Sequence, residues 1–300
     1  MLTSSSKHQF YFPCCPQTFE YIQRPDVCKD RKVSLVLCVG IRRGSLYKRK
    51  LIRDTWGSLG SKHTGPIVLV FFVGLPQSKE QAHVQDSIVQ ENKIHKDIVQ
   101  TNFIDNYYNL TLKTLSMLMW ASEYCNQTDY ILKADDDVYV NVPLLLLALR
   151  NISHIQSNQA FFIGKFENLS LPVRMKGNKW SISHNEFGDT FFPPYLNGAA
   201  TYALTISAAI KVKDIAPSMP FLRFEDVFIS GLCVRAAGII LVNDERFFTL
   251  PIEVQSITNN ISGSRYYQKD IELIENVQRH FTKYIVGMKE LPYEERLKTT

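Results

Sequence analysis

The chain reads as an α/β protein, an α/β/α sandwich with a mainly parallel central sheet. Three observations predict it. Short β-rich apolar runs alternate with helical patterns through the first half. The strand-like runs are apolar at successive positions, as suits strands covered on both faces. A chain of 300 residues with 45% apolar side chains can also bury a sizeable core.

The elements follow in order. Residues 1 to about 30 lack periodicity and carry Pro13, Pro16 and Pro25, which reads as a stem or linker; residues 31–300 form one folded domain. Val33–Val39 is a buried strand, Tyr47–Trp56 a helix, and Ile67–Val73 a second strand closed by Gly74. Asp86–Lys96 is helical and Ile98–Phe103 a short strand. Thr111–Cys125 reads as an amphipathic helix, with Leu112, Leu115, Leu118, Met119 and Ser122 near a 3.6 period. Tyr130–Ala134 is the next strand. Asn141 caps a helix over Val142–Arg150, with Pro143 tolerated in its first turn. The second half is richer in Gly, Pro and aromatics and more irregular, an elaboration on the same domain.

Between the last strand and helix lie Asp135, Asp136 and Asp137, three adjacent carboxylates flanked by apolar runs. Unpaired buried carboxylates are costly, so the cluster must be neutralised or face water. It sits at the carboxyl end of a strand, where ligands bind in such sheets. Carboxylate oxygens suit Mn²⁺ or Mg²⁺, which clamp diphosphates. In an extended chain Asp135 and Asp137 share a face.

The net charge of +5 is mild and compatible with an anionic small molecule. No basic run is interleaved with aromatics, which argues against nucleic acid; Lys48-Arg49-Lys50 reads as a solvated helix face. Six cysteines (14, 15, 28, 38, 125, 233) include no CxxC pair, and their disulfide pairing is open. Sequons begin at Asn109, Asn126, Asn151, Asn168 and Asn260, which favours the secretory pathway. Asn109 lies inside a motif and is read as structural. No apolar run approaches the ~20 residues of a membrane span, and the N-terminus has no signal-peptide core.

Seven blocks, in order along the chain, resemble those of the β-1,3-galactosyltransferase / β-1,3-N-acetylglucosaminyltransferase family, inverting GT-A (Rossmann-like) glycosyltransferases of glycosyltransferase family 31. They are Arg49–Trp56 (R-x-x-I-R-x-T-W), Phe72–Gly74, Asn102–Thr114 (D-F-x-D-x-Y-x-N-L-T-x-K-T), Leu132–Asn141 around the DxD carboxylates, Pro172–Arg174 with Lys179-Trp180, Pro193–Tyr195 with Gly198, and Glu225–Val227 with Gly231. The resemblance implies a Mn²⁺- or Mg²⁺-dependent transfer from a UDP-sugar, galactose favoured and an N-acetylhexosamine second. The acceptor would be an oligosaccharide on a glycoprotein or glycolipid. It also implies a Golgi type II membrane protein whose anchor is not visible here.

Site residues follow from the same resemblance. Asp135 and Asp137 hold the metal, Asp226 is the general base, and Arg53, Asp105, Lys133, Asp136, Lys179 and Gly198 face the donor. Glu225, Trp180 and Tyr195 face acceptor or sugar. Several keep a second reading: Arg49 and Arg53 as partners of buried carboxylates, Asp105 as a helix cap, Trp56 and Trp180 as core, Asp226 as the cap of a helix beginning near Val227. Flanking Phe224, Val227 and Phe228 should leave Asp226 partly desolvated.

The sequence departs from the family pattern in places. Asn102 stands where the family has Asp. Gly198-Ala-Ala-Thr-Tyr202 and Phe228-Ile-Ser-Gly231 are each one residue longer than the usual spacing. His280 is the single His after the Glu225–Val227 block, and no role is assigned to it. Asn126, Asn151, Asn168 and Asn260 are the glycosylation candidates. Two other classes compete: a non-catalytic folding partner of a transferase, which would have lost the carboxylates, and a Mg²⁺ phosphotransferase, which would need a GxxxxGK[ST] loop absent here.

Overall fold

The computed structural model describes residues 16–76, 82–156 and 159–247. Cys14, Cys15, Asn260 and His280 lie outside the described residues. In chain order the elements are β1 (Tyr21–Gln23), β2 (Leu35–Gly40), α1 (Leu46–Asp54), α2 (Ser58–Ser61), β3 (Ile67–Leu75), α3 (Ala82–His95), β4 (Ile98–Ile104), α4 (Leu110–Tyr124), β5 (Tyr130–Asp135) and α5 (Val142–Ile155). There follow β6 (Phe161–Gly164), β7 (Phe166–Glu167), β8 (Tyr195–Leu196), β9 (Tyr202–Thr205), α6 (Ile206–Ile215), α7 (Val234–Ala236) and β10 (Ile240–Asn243). Eight strands form one sheet in the order β1-β4-β3-β2-β5-β9-β6-β10, while β7 and β8 make a separate ribbon.

The first-half strands β4, β3, β2 and β5 pair in parallel, so their carboxyl ends open on one edge. Alternate side chains serve opposite faces. Leu35, Leu37 and Val39 pack with Ile52, Trp56, Leu145 and Leu149 of the α1 and α5 side. Val36 and Cys38 pack with Leu115, Leu118 and Ala208 of the α4 and α6 side. That two-sided demand for apolar residues explains the uninterrupted runs. Asn141 accepts from the Leu144 amide as the expected cap of α5.

Three expectations change. The stripe expected on α4 is overrun: Lys113 through Ala121 are all buried while Leu112 is not, because α6 covers the helix on its outer side. Second, the stem region is folded near its end. Tyr21–Gln23 adds an antiparallel edge to β4, and Cys28 is bonded to Cys125. That bond spans 97 residues, and constraining a loop of that length is worth about 4–5 kcal/mol in the chain-entropy account. Cys38 and Cys233 are buried and lie outside this disulfide. Third, the irregular second half completes the same sheet. β9 runs antiparallel between β5 and β6, and β10 extends it in parallel. No described helix is long and apolar enough to cross a membrane.

Candidate active site

The carboxyl ends of β2 to β5 gather the ionisable groups. At the β3–β4 corner, Asp105 accepts from the Gly74 amide at 3.1 Å and pairs with Lys113 Nζ at 2.6 Å. Gly74 must lack a side chain: a Cβ there would stand 2.5 Å from the Phe103 carbonyl oxygen. Lys113 also donates to the Ile41 carbonyl at the end of β2. Beside it, Gly40 leaves room for Met117, Asp135 and Lys113 together. Asp105 is therefore not a helix cap; Asn106 caps the turn before α4 by accepting from the Asn109 amide.

β5 delivers the acidic triplet. The strand stops at Asp135 and turns through Asp136 and Asp137, so period-two alternation does not reach Asp137. Asp135 Oδ1 pairs with Lys133 Nζ at 3.0 Å and Asp136 Oδ1 with Lys48 Nζ at 2.8 Å. Asp137 is held above the usual carboxylate range by burial, with the charges of Asp135 and Asp136 adding to it. Among the described residues, no three His, Cys, Asp or Glu side chains converge into a complete metal cage. Two hard carboxylates beside an open edge still match how Mg²⁺-type ions bind, with substrate phosphates and water filling the remaining positions.

Lys133 joins this triplet to a second acidic pair. It is buried, and its Nζ lies 3.4 Å from Glu225 Oε2 as well as against Asp135. Burial pulls its pKa down, but Asp135 and Glu225 outweigh that and hold it above its ordinary value. Tyr202 donates its hydroxyl to Glu225 Oε1. Both Glu225 oxygens thus have a partner within the protein, and the side chain braces Lys133. Burial also raises the Glu225 pKa, against the opposing effect of Lys133.

Asp226 has the expected desolvation. Burial raises its pKa, opposed by the Val227 and Gly198 amides. Those amides donate to Oδ1 at 2.9 Å and Oδ2 at 3.3 Å, aiming the carboxylate. Gly198 allows the close approach, since a Cβ there would sit 3.0 Å from Glu225 Oε2. Asp226 does cap the following helix, as the second reading had it, but that uses only part of its acceptor capacity.

The stretches around Gly198 and Gly231 meet here. Val227–Cys233 is a π-helix, a wide turn frequent at functional sites. In it, buried Ser230 accepts from the Leu196 amide at 2.8 Å and donates to the Asp226 carbonyl at 2.7 Å. In the other loop Thr201 has φ +64°, an outlier for a β-branched residue that costs on the order of 1–3 kcal/mol. Its hydroxyl donates to the Lys133 carbonyl, which helps hold it there.

Other assignments fare differently. Arg53 is withdrawn from the donor side: it is buried, bidentate to Asp97 at 2.7 and 2.8 Å, and paired with Glu91 at 2.7 Å. Arg49 is buried too, bonded to Glu91 at 2.6 Å, so Lys48-Arg49-Lys50 is not a solvated face. Trp56 is core. Lys179 lies 4.3 Å above the Tyr107 ring, not beside the carboxylates, and Trp180 is 54% exposed. Tyr195 packs against Phe192 within the field of Asp226. Asn102 reaches Glu20 at the exposed β1 edge. Asn126, Asn151 and Asn168 are exposed, whereas the Asn109 side chain donates to the Ile104 carbonyl.

Sequence reasoning missed Lys48, Lys113, Tyr202, Thr201 and Ser230. Lys113 stood inside a quoted block and Gly40 at a strand end, so both carried a signal. Lys48 and Ser230 carried none, since their partners are 88 and 34 residues away.

The family model described as Galactosyltransferase matches residues 47–245. β-1,3-Galactosyltransferase 5 of Mus musculus is 36% identical over 218 residues, covering 72% of this chain and 68% of the relative. The Homo sapiens protein of the same name is 32% identical over 224 residues, covering 74% and 69%. Lactosylceramide 1,3-N-acetyl-β-D-glucosaminyltransferase of Homo sapiens is 32% identical over 252 residues, covering 82% and 65%. The chain belongs to the β-1,3-galactosyltransferase / β-1,3-N-acetylglucosaminyltransferase family of glycosyltransferases.

Proposed function

We propose that the protein transfers a hexose, with galactose the favoured sugar and an N-acetylhexosamine second, from a UDP-sugar to a glycan hydroxyl, forming a β-1,3 bond with inversion. The observation that carries this reading is the convergence of the Asp135–Asp137 turn and the Glu225–Asp226 pair on one buried lysine, Lys133, at the open edge of the sheet. Asp135 and Asp137 would hold Mn²⁺ or Mg²⁺, which when bound supplies positive charge to the diphosphate leaving group. Asp226, aimed by two backbone amides and desolvated, takes the proton from the acceptor hydroxyl. The hydroxyl oxygen then bonds to the anomeric carbon as the bond to UDP breaks, its electron pair leaving on the β-phosphate. Glu225, held by Tyr202, keeps Lys133 charged between the two acidic groups.

The name of the lactosylceramide 1,3-N-acetyl-β-D-glucosaminyltransferase relative supports a glycolipid among the acceptors. A UDP-release screen across UDP-sugars and β-linked oligosaccharides, with Mn²⁺ and with excess EDTA, tests the reading. Release should require metal and acceptor together, with UDP-galactose fastest. Full activity in EDTA, or no release from any pair, rejects it. We place the enzyme in the Golgi, a location supported by exposed Asn126, Asn151 and Asn168. Expressed in animal cells, it should gain gel mobility after peptide-N-glycosidase treatment; an unchanged band counts against that location.

A further inference from the structure

The first turn of α4 and the segment before Glu225 are held together, because Thr111 Oγ1 donates to the Leu222 carbonyl at 2.9 Å. This clamp brings up aromatic side chains that no core residue covers. Tyr107 is 43% exposed, Tyr108 62% and Trp180 54%. The contacts are continuous: Lys179 Nζ stands 4.3 Å from the Tyr107 ring centre and 5.4 Å from that of Trp180, and the Tyr107 and Tyr108 rings meet edge-on at 6.1 Å. Arg223 approaches Tyr108 at 5.7 Å and Phe224 at 4.9 Å, and Phe224 immediately precedes Glu225 and Asp226. The cluster therefore runs from the Asp105 corner of the site to its proposed base.

Three exposed aromatics joined by two cations are unusual on a surface unless something lies on them. Tyr, Trp and Arg are also the side chains that concentrate binding energy in small patches. The patch fits a chain of pyranose rings, whose C–H faces lie on aromatic rings while their hydroxyls meet charged donors and acceptors. A neutral lipid tail would leave Lys179 and Arg223 without use.

Building on the glycan-transfer reading above, we propose that Tyr107, Tyr108 and Trp180 form a platform for the acceptor sugars beyond the one attacked. Tyr108 makes the enzyme prefer longer acceptors. It is the most exposed of the three rings, and it joins Tyr107 to Arg223.

The test compares kcat/KM for β-linked di- and tetrasaccharide acceptors at saturating UDP-sugar. Wild type should favour the tetrasaccharide, Tyr108→Ala should cut that preference about tenfold, and Tyr108→Phe should restore it. Absence of a length preference in wild type overturns the platform alone. So does an unchanged preference in Tyr108→Ala, or a rise in its KM for the UDP-sugar, which would mean that the donor's base stacks there. No transfer by wild type to any acceptor would overturn the glycan-transfer reading itself, and this proposal with it.

Discussion

Two of the ionic clusters among the described residues are built oppositely. On the α1 side, Arg49 and Arg53 meet Glu91 and Asp97, two charges of each sign, all buried. At the open edge of the sheet, Asp135, Asp136, Asp137, Glu225 and Asp226 are met, among the described residues, by the ion pairs of Lys48 and Lys133. The pKa directions record the difference. Glu91 is buried, yet Arg49 and Arg53 overcome that and pull it below 4.5. Asp137, Glu225 and Asp226 are raised, because burial is not matched by enough positive charge. A balanced cluster fastens elements together; an unbalanced one keeps electrostatic capacity for a ligand and for proton transfer.

The largest effect that would break this contrast is on rate. Asp226→Asn keeps the shape and one acceptor oxygen, enough for the shorter Val227 contact, but loses the proton acceptor and the acceptor facing the Gly198 amide. Transfer should fall about 10²–10⁴-fold, roughly 3–5 kcal/mol, while UDP binding and melting temperature hold. Near-normal transfer would reduce Asp226 to a helix cap and move the search for a base to Glu225. Its pH dependence has a definite sign. The base must be ionised, so kcat/KM should climb with pH along a limb above the ordinary aspartate value of 3.8. The same raised pKa means that any stability tied to protonated Asp226 is present below its unfolded pKa and lost as pH rises through the folded one.

A comparable energy should appear on the other side as stability. Glu91→Gln leaves two buried guanidinium groups short of a counter-charge and should cost about 3–5 kcal/mol in urea unfolding, without moving the pH–rate limb. A loss under about 1 kcal/mol would show that the cluster fastens nothing. Because the Glu91 pKa is depressed, its contribution is present above the unfolded value near 4.5 and lost as pH falls through the folded value. Wild type should therefore lose this contribution on acidification, and the variant should not.

Local pattern alone determined the first half of the fold. Apolar runs, a cap at Asn141 and turn residues report near-neighbour physics, and β2 to β5 formed within a few residues of expectation. The acidic triplet was legible for the same reason: like charges cannot sit unpaired between buried segments. Local pattern failed on α4, which ends at Tyr124 and whose outer face is covered by α6, beginning only at Ile206.

Tertiary structure decided the rest, because charge compensation is a through-space property. Nothing near Arg53 in sequence says that Asp97 takes it, and nothing near Lys133 says that Glu225 and Tyr202 do. A carboxylate's partner turns a sequence motif into either a fastening or a site, and the Arg49–Glu91, Arg53–Asp97 and Lys133–Glu225 pairs join residues 42 to 92 apart. Only packing showed that Val227–Cys233 becomes a π-turn bringing Ser230 to Leu196, while the loop after Gly198 keeps Thr201 in a conformation its side chain resists, against the backbone of Lys133.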